Sequence, residues 1–149
     1  MRYRCFEIGQ TGGIDKHWFR VVARVVYEGE DGAWREWCLE LQDGSLAWLE
    51  QEDGQTILMR KQRLTTAVPA FNQIQVGMRF QVNGAPFFVV ERNRARVSKI
   101  EGELPFGLHV GQSVLFVDGN IDGRPALLDY GAADAIEYGI GEIIESNGI

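Results

Sequence analysis

Residues 34–60 read WREWCLELQDGSLAWLEQEDGQTILMR, and this stretch decides the fold class. Trp37, Leu39 and Leu41 alternate with Glu36, Cys38 and Glu40. That period of two puts successive side chains on opposite faces of a strand. Asp43-Gly44 and Asp53-Gly54 punctuate it, and both residue types tolerate the positive φ of a hairpin turn. The stretch predicts three consecutive antiparallel strands. Upstream, WFRVVARVVYE (residues 18–28) sets Phe19, Val21, Ala23, Val25 and Tyr27 on one face. Arg20, Arg24 and Glu28 fall on the other, and the β-branched content suits a strand. Gly29 to Gly32 (GEDG) is the turn between these two regions.

Downstream the style repeats. RFQV (79–82), PFFVVE (86–91), RARVSKI (94–100), SVLFVD (113–118) and RPALLD (124–129) read as strands. Asn83-Gly84, Asp118-Gly119 and Asp122-Gly123 read as turns. Residues 132–145 fit either a short helix weakened by Gly139 and Gly141 or a last strand in which Ile136, Tyr138 and Ile140 alternate. HWFRVVARVVYEGE (17–30) and APFFVVERNRARVSKIEGE (85–103) echo each other, each pairing an aromatic strand with an acidic turn. The expected fold is all-β and antiparallel, either a sandwich or two partly open barrel-like halves, with at most one short C-terminal helix. It forms a single domain over residues 1–149, with halves of about 1–60 and 77–149 joined by 61–76.

The chain has 149 residues, 45% of them hydrophobic, enough for one domain with a core. Its net charge of −6 argues against general binding to a nucleic-acid backbone, which needs clustered positive charge. No apolar run approaches the roughly 18 residues of a spanning helix. With no charged-then-apolar leader, a soluble cytoplasmic protein is expected, although a peripheral membrane context stays open. Charge is segregated. Arg79, Arg92, Arg94, Arg96 and Lys99 cluster between residues 79 and 99, whereas residues 101–149 hold nine acids against Arg124 alone. Neighbouring strands that attract each other explain this, and so does a bipolar surface that stacks copies head to tail.

Local motifs for catalysis are missing. Cys5, His17, Cys38 and His109 lack the paired spacing of metal ligands, so no metal or cofactor is expected. No nucleophile elbow, phosphate loop or dinucleotide fingerprint occurs. The candidate binding residues are Trp34, Glu36, Glu101, Glu103, Asp129 and Tyr130. Trp34 lies an odd number of residues from Trp37, so it shares the Glu36 face and is expected to be partly exposed, as a binding anchor or a lid. Glu101 and Glu103 flank Gly102, either as paired carboxylates that hold a cation or as a solvated turn. Asp129 and Tyr130 end a strand, either as a turn cap or as an acidic, aromatic groove shared with Glu103.

Several motifs occur in a characteristic order. FEIGQTGG, WFRVVARVVYE and WREWCLELQDGSLAWLEQEDG fill the first half. VNGAPFFVVE, ARVSKIEGELPF, FVDG and ALLDYG fill the second. Together, over roughly residues 6–145, they resemble the bacterial family known as domain of unknown function 4178. The resemblance implies a soluble, mostly β protein with no assigned activity. It also implies gene neighbours of the phage-shock and spermidine-synthase-like types, and hence an accessory role at the membrane. Some members carry a zinc ribbon that this chain lacks. The leading expectation is a non-enzymatic binding or adaptor protein that docks a protein partner through a patch around Trp34 and a free sheet edge. The alternatives are a small-molecule or cation-binding domain for a polyamine-like ligand, and a self-assembling structural protein.

Overall fold

The computed structural model describes residues 6–14, 17–52, 55–104, 107–132 and 135–144. Among these, regular structure is all-β apart from a single 3-10 turn at Phe71–Gln73. The strands are β1 (Thr11–Ile14), β2 (His17–Gly29), β3 (Gly32–Leu41), β4 (Leu46–Glu52) and β5 (Gln55–Gln62), then β6 (Arg79–Val82), β7 (Ala85–Gly102), β8 (Ser113–Ile121), β9 (Arg124–Ala132) and β10 (Ala135–Ile144). Every pairing is antiparallel. No helix among the described residues is long and apolar enough to cross a membrane.

Two meanders, β2 to β5 and β7 to β10, join at both edges: β5 pairs with β10, and β2 pairs with β7. The eight strands therefore close into a ring, and β1 and β6 hang from β2 and β7 as short outer hairpins. The all-β expectation holds, with one closed barrel in place of a sandwich or of two partly open halves. Residues 34–60 form the consecutive antiparallel strands read from the sequence. Residues 135–144 take the strand alternative. Asn83-Gly84 and Asp122-Gly123 turn with positive φ at both positions. The Asp53-Gly54 turn lies outside the described residues.

Three readings change. Residues 86–91 and 94–100 belong to one 18-residue strand, β7. Asp118-Gly119 is no turn but the middle of β8, where the Phe88 carbonyl and the Phe87 ring crowd Gly119 so closely that a Cβ has no room. In β2 the alternation from Phe19 to Tyr27 does not stay on one face. A bulge at Val22 moves the register from Val21 opposite Leu39 to Ala23 opposite Cys38. Phe19 and Val21 thus join one core and Ala23, Val25 and Tyr27 another. β7 carries a matching bulge between Val89 and Glu91. Against β2, β7 carries a second bulge between Val97 and Lys99, and both long strands serve the ring interior and an outer core.

The outer cores differ from the inner one. Trp37, Leu39, Leu49 and Leu58 face away from the ring and pack with Phe6, Phe19 and Val21. Trp37 donates its Nε1–H to the Phe6 carbonyl at 3.2 Å. On the other half, Val117, Ala126, Leu128 and Tyr138 are covered by the segment between β5 and β6, through Leu64, Val68, Phe71 and Ile74. Where these outer cores lie both faces of the sheet are buried, as at Trp37, Cys38 and Leu39 of β3. The residues of the third cluster, from Val25 and Cys38 to Val97 and Phe116, fill the ring.

Candidate functional site

Contacts between strands that are not neighbours identify the ring interior. Tyr27 of β2 meets Phe116 of β8 edge to face at 5.5 Å. Trp34 of β3 reaches the same ring at 6.3 Å and stacks on Tyr27 at 5.3 Å. Beside this aromatic group lies a cavity of about 80 Å³, several times the room one water needs. Every ring strand except β7 contributes to its wall. Gly139 of β10 belongs to that wall, where a Cβ would strike the Met59 sulfur at 2.9 Å. A second, wider cavity of about 410 Å³ opens by the β2–β3 turn, lined by Glu30, Asp31, Gln51, Glu91, Asn93 and Asp118 among others. The two share Glu36, Glu50, Phe116 and Leu127 in their walls. Eight strands enclose about the space for one small ligand, and the interior matches that size.

The interior is acidic. Glu36 is only 8% exposed and accepts a hydrogen bond from Trp34 Nε1 at 3.0 Å. Burial pushes its carboxyl up to about 7, the Trp34 bond opposes that, and Asp118 and Asp129 raise it further. Glu50 lies opposite Glu36 across the β3–β4 pair. Asp129 projects inward from β9 and accepts the Gly131 N–H at 2.7 Å. Burial raises its carboxyl as well, against that hydrogen bond. Asp118 accepts from Asn93 Nδ2 at 2.9 Å. Against these acids stands Lys61 at the end of β5, which pairs with Glu137 and lies over Trp48 at 5.7 Å. Gln51 is buried, and among the described residues its Oε1 has no hydrogen-bond partner.

Of the sequence candidates, Trp34, Glu36 and Asp129 come together here. Trp34 shares the Glu36 face as expected and is half-buried, lining the wider cavity by the β2–β3 turn and stacking on Tyr27. Tyr130, one residue from Asp129, points the other way. It packs against Phe71 and donates to the Pro69 carbonyl at 2.7 Å, and burial lifts its hydroxyl to about 12. Glu101 sits outside the ring between Arg24 and Lys99, each at 2.8 Å; Lys99 first and then Arg24 hold its carboxyl below the usual range. Glu103 lines a separate groove with Arg20, Glu40 and Leu104. The groove expected from Glu103, Asp129 and Tyr130 together does not form: Glu103 follows the end of β7 beside Ala23 of β2, Asp129 lines the ring cavity, and Tyr130 packs on Phe71.

Sequence reasoning missed Tyr27, Trp48, Glu50, Lys61, Phe116 and Glu137 as site residues. A usable signal was present. In β3 Trp34 and Cys38 flank Glu36 on one face while Trp37, Leu39 and Leu41 fill the other, so a buried Glu36 was legible, whereas Glu40 on the same face reaches Arg20 at the surface. Cys38 is fully buried in the interior, and burial pushes its thiol up to about 11, away from a reactive thiolate. Among the described residues no group of three His, Cys, Asp or Glu side chains is arranged to hold a metal ion.

No curated protein and no solved structure matches the chain. The family model described as domain of unknown function (DUF4178) matches residues 7–127, which takes in Trp34, Glu36, Glu50 and Lys61 and stops short of Asp129 and β10. That match spans most of the sequence, and the chain therefore belongs to the DUF4178 family.

Proposed function

We propose that this chain is a non-catalytic binding barrel that takes a small organic cation, such as a polyamine-like amine, inside the ring. The observation that carries the reading is Glu36, a carboxylate buried among tryptophan, tyrosine and phenylalanine with Asp118 and Asp129 near it. An uncompensated buried acid is costly, and a cation seated beside it removes that cost. Aromatic faces add attraction for the same charge. The orphan Oε1 of Gln51, in the wall of the wider cavity, accepts a donor that an amine supplies. The wide acidic mouth and narrow aromatic interior suit a slender ligand that enters by one end. Docking of a protein partner has less support, since it rests on Trp34 as a surface anchor and Trp34 packs on Tyr27.

Thermal denaturation tests the proposal, with spermidine set against sodium chloride at equal ionic strength. A ligand at one hundred times its dissociation constant adds about 2.7 kcal/mol, or a rise of roughly 5–10 °C for a chain of this size. The rise should shrink in Glu36→Gln. Equal shifts in amine and salt would remove the reading.

A further inference from the structure

We infer that Lys61 is an internal stand-in for a ligand ammonium: it fills a niche made by the Trp48 face and the Glu137 carboxylate, so the cavity accepts one ammonium from outside and accepts two once the lysine charge is gone. The inference rests on the amine reading of the cavity and adds how many charges the site takes.

An aromatic face with a carboxylate beside it is the pair of groups by which proteins hold an ammonium. Here β4 supplies the ring, β10 the carboxylate and β5 the cation. Lys61 Nζ lies 5.7 Å from the Trp48 centroid and pairs with Glu137. The register sets this up, because Lys61 lies opposite Gly139, two residues from Glu137 on the same face, and glycine leaves the path between them open. Lys61 belongs to the wall of the narrow cavity and not to that of the wide one. Its charge is felt at Glu36, Cys38 and Asp129, so it sits inside the field an external cation would meet. The narrow cavity holds Glu36, Glu50, Asp129 and Glu137 against this one cation. Glu137 is answered from within the chain, and Glu36 and Asp129 are the acids of this wall whose burial an external cation would relieve.

Calorimetric titration of the full chain with n-hexylamine, 1,4-diaminobutane and 1,6-diaminohexane tests this, in wild type, Lys61→Met and Lys61→Arg. Methionine keeps the length of the side chain and removes the charge, and the lysine side chain is 37% exposed, so no buried void is created. Lys61→Gln is a second neutral variant, and urea denaturation verifies that each protein is folded. In wild type and Lys61→Arg the better diamine and the monoamine should bind within about threefold of each other. In Lys61→Met the better diamine should gain about tenfold over the monoamine, the worth of one more ammonium held by a ring and a carboxylate. If wild type binds amines and the diamine-to-monoamine ratio is the same in the neutral variants, the inference about Lys61 fails and the amine reading survives. If no amine binds any of the proteins, both fail.

Discussion

Glu36 is the residue on which the chemistry turns, because its burial makes its protonation state depend on what shares the cavity. Its ordinary value is 4.5, and in the fold it titrates near 7. Between those values the folded protein keeps a proton that the unfolded chain has lost. Stability therefore falls as pH rises from about 4.5 to about 7, by about 3 kcal/mol from this group. Glu36→Gln keeps an acceptor for Trp34 and removes the ionisation. Urea denaturation at pH 5 and pH 8 should show a smaller pH difference in the variant by about that amount, with the variant the more stable protein at pH 8. Equal pH differences would mean that Glu36 is not held in its neutral form. Trp34 acts the other way, since its N–H bond favours the carboxylate. Trp34→Phe should raise the Glu36 titration further, as read from the side-chain carboxyl carbon by NMR.

At the scale of elements, closure of the ring depends on how β7 ends against β2. Gly102 has φ +82, and a Cβ there would lie 2.3 Å from the Val22 carbonyl oxygen. Gly102→Ala combines backbone strain with a clash against backbone at the β2 bulge. It should cost about 3 kcal/mol and lower the melting temperature by roughly 10 °C. Gly107→Ala is the control, because a Cβ there meets nothing within 4 Å; its melting temperature should stay within a degree or two of wild type. What the sequence made legible was local. The 34–60 meander, the Asn83-Gly84 and Asp122-Gly123 turns, and Glu36 and Asp129 as candidates all follow from alternation and turn chemistry. The β2–β7 and β5–β10 pairings join residues far apart in the chain, and no local period encodes them. The bulges were hidden for a related reason. Phe19 and Val21 are buried in an outer core and Ala23, Val25 and Tyr27 in the ring, so all five read as one apolar set whichever side each one takes. The end of β7 decides where Glu101 and Glu103 point, and their spacing does not encode it.

At the scale of the molecule, closure turns two meanders with modest individual faces into an enclosure that buries charge. Of the described strands only β1 and β6 keep an unpaired edge, and both are short. Short edges limit strand addition by other chains. The outer cores beneath Phe6 and Phe71 hold the sheet from outside, which leaves the interior free to carry Glu36 and Asp129 in place of a fully apolar filling. Such an interior is a poor device for stability, and on the proposed reading it selects a cation. The most direct test is NMR of the Glu36 side-chain carboxyl carbon at pH 6 during titration with spermidine. The empty protein should show the protonated signal, and saturation should move it to the ionised position as the amine enters beside it. A Glu36 signal that stays protonated through saturation would contradict the account, whatever surface the amine then occupied.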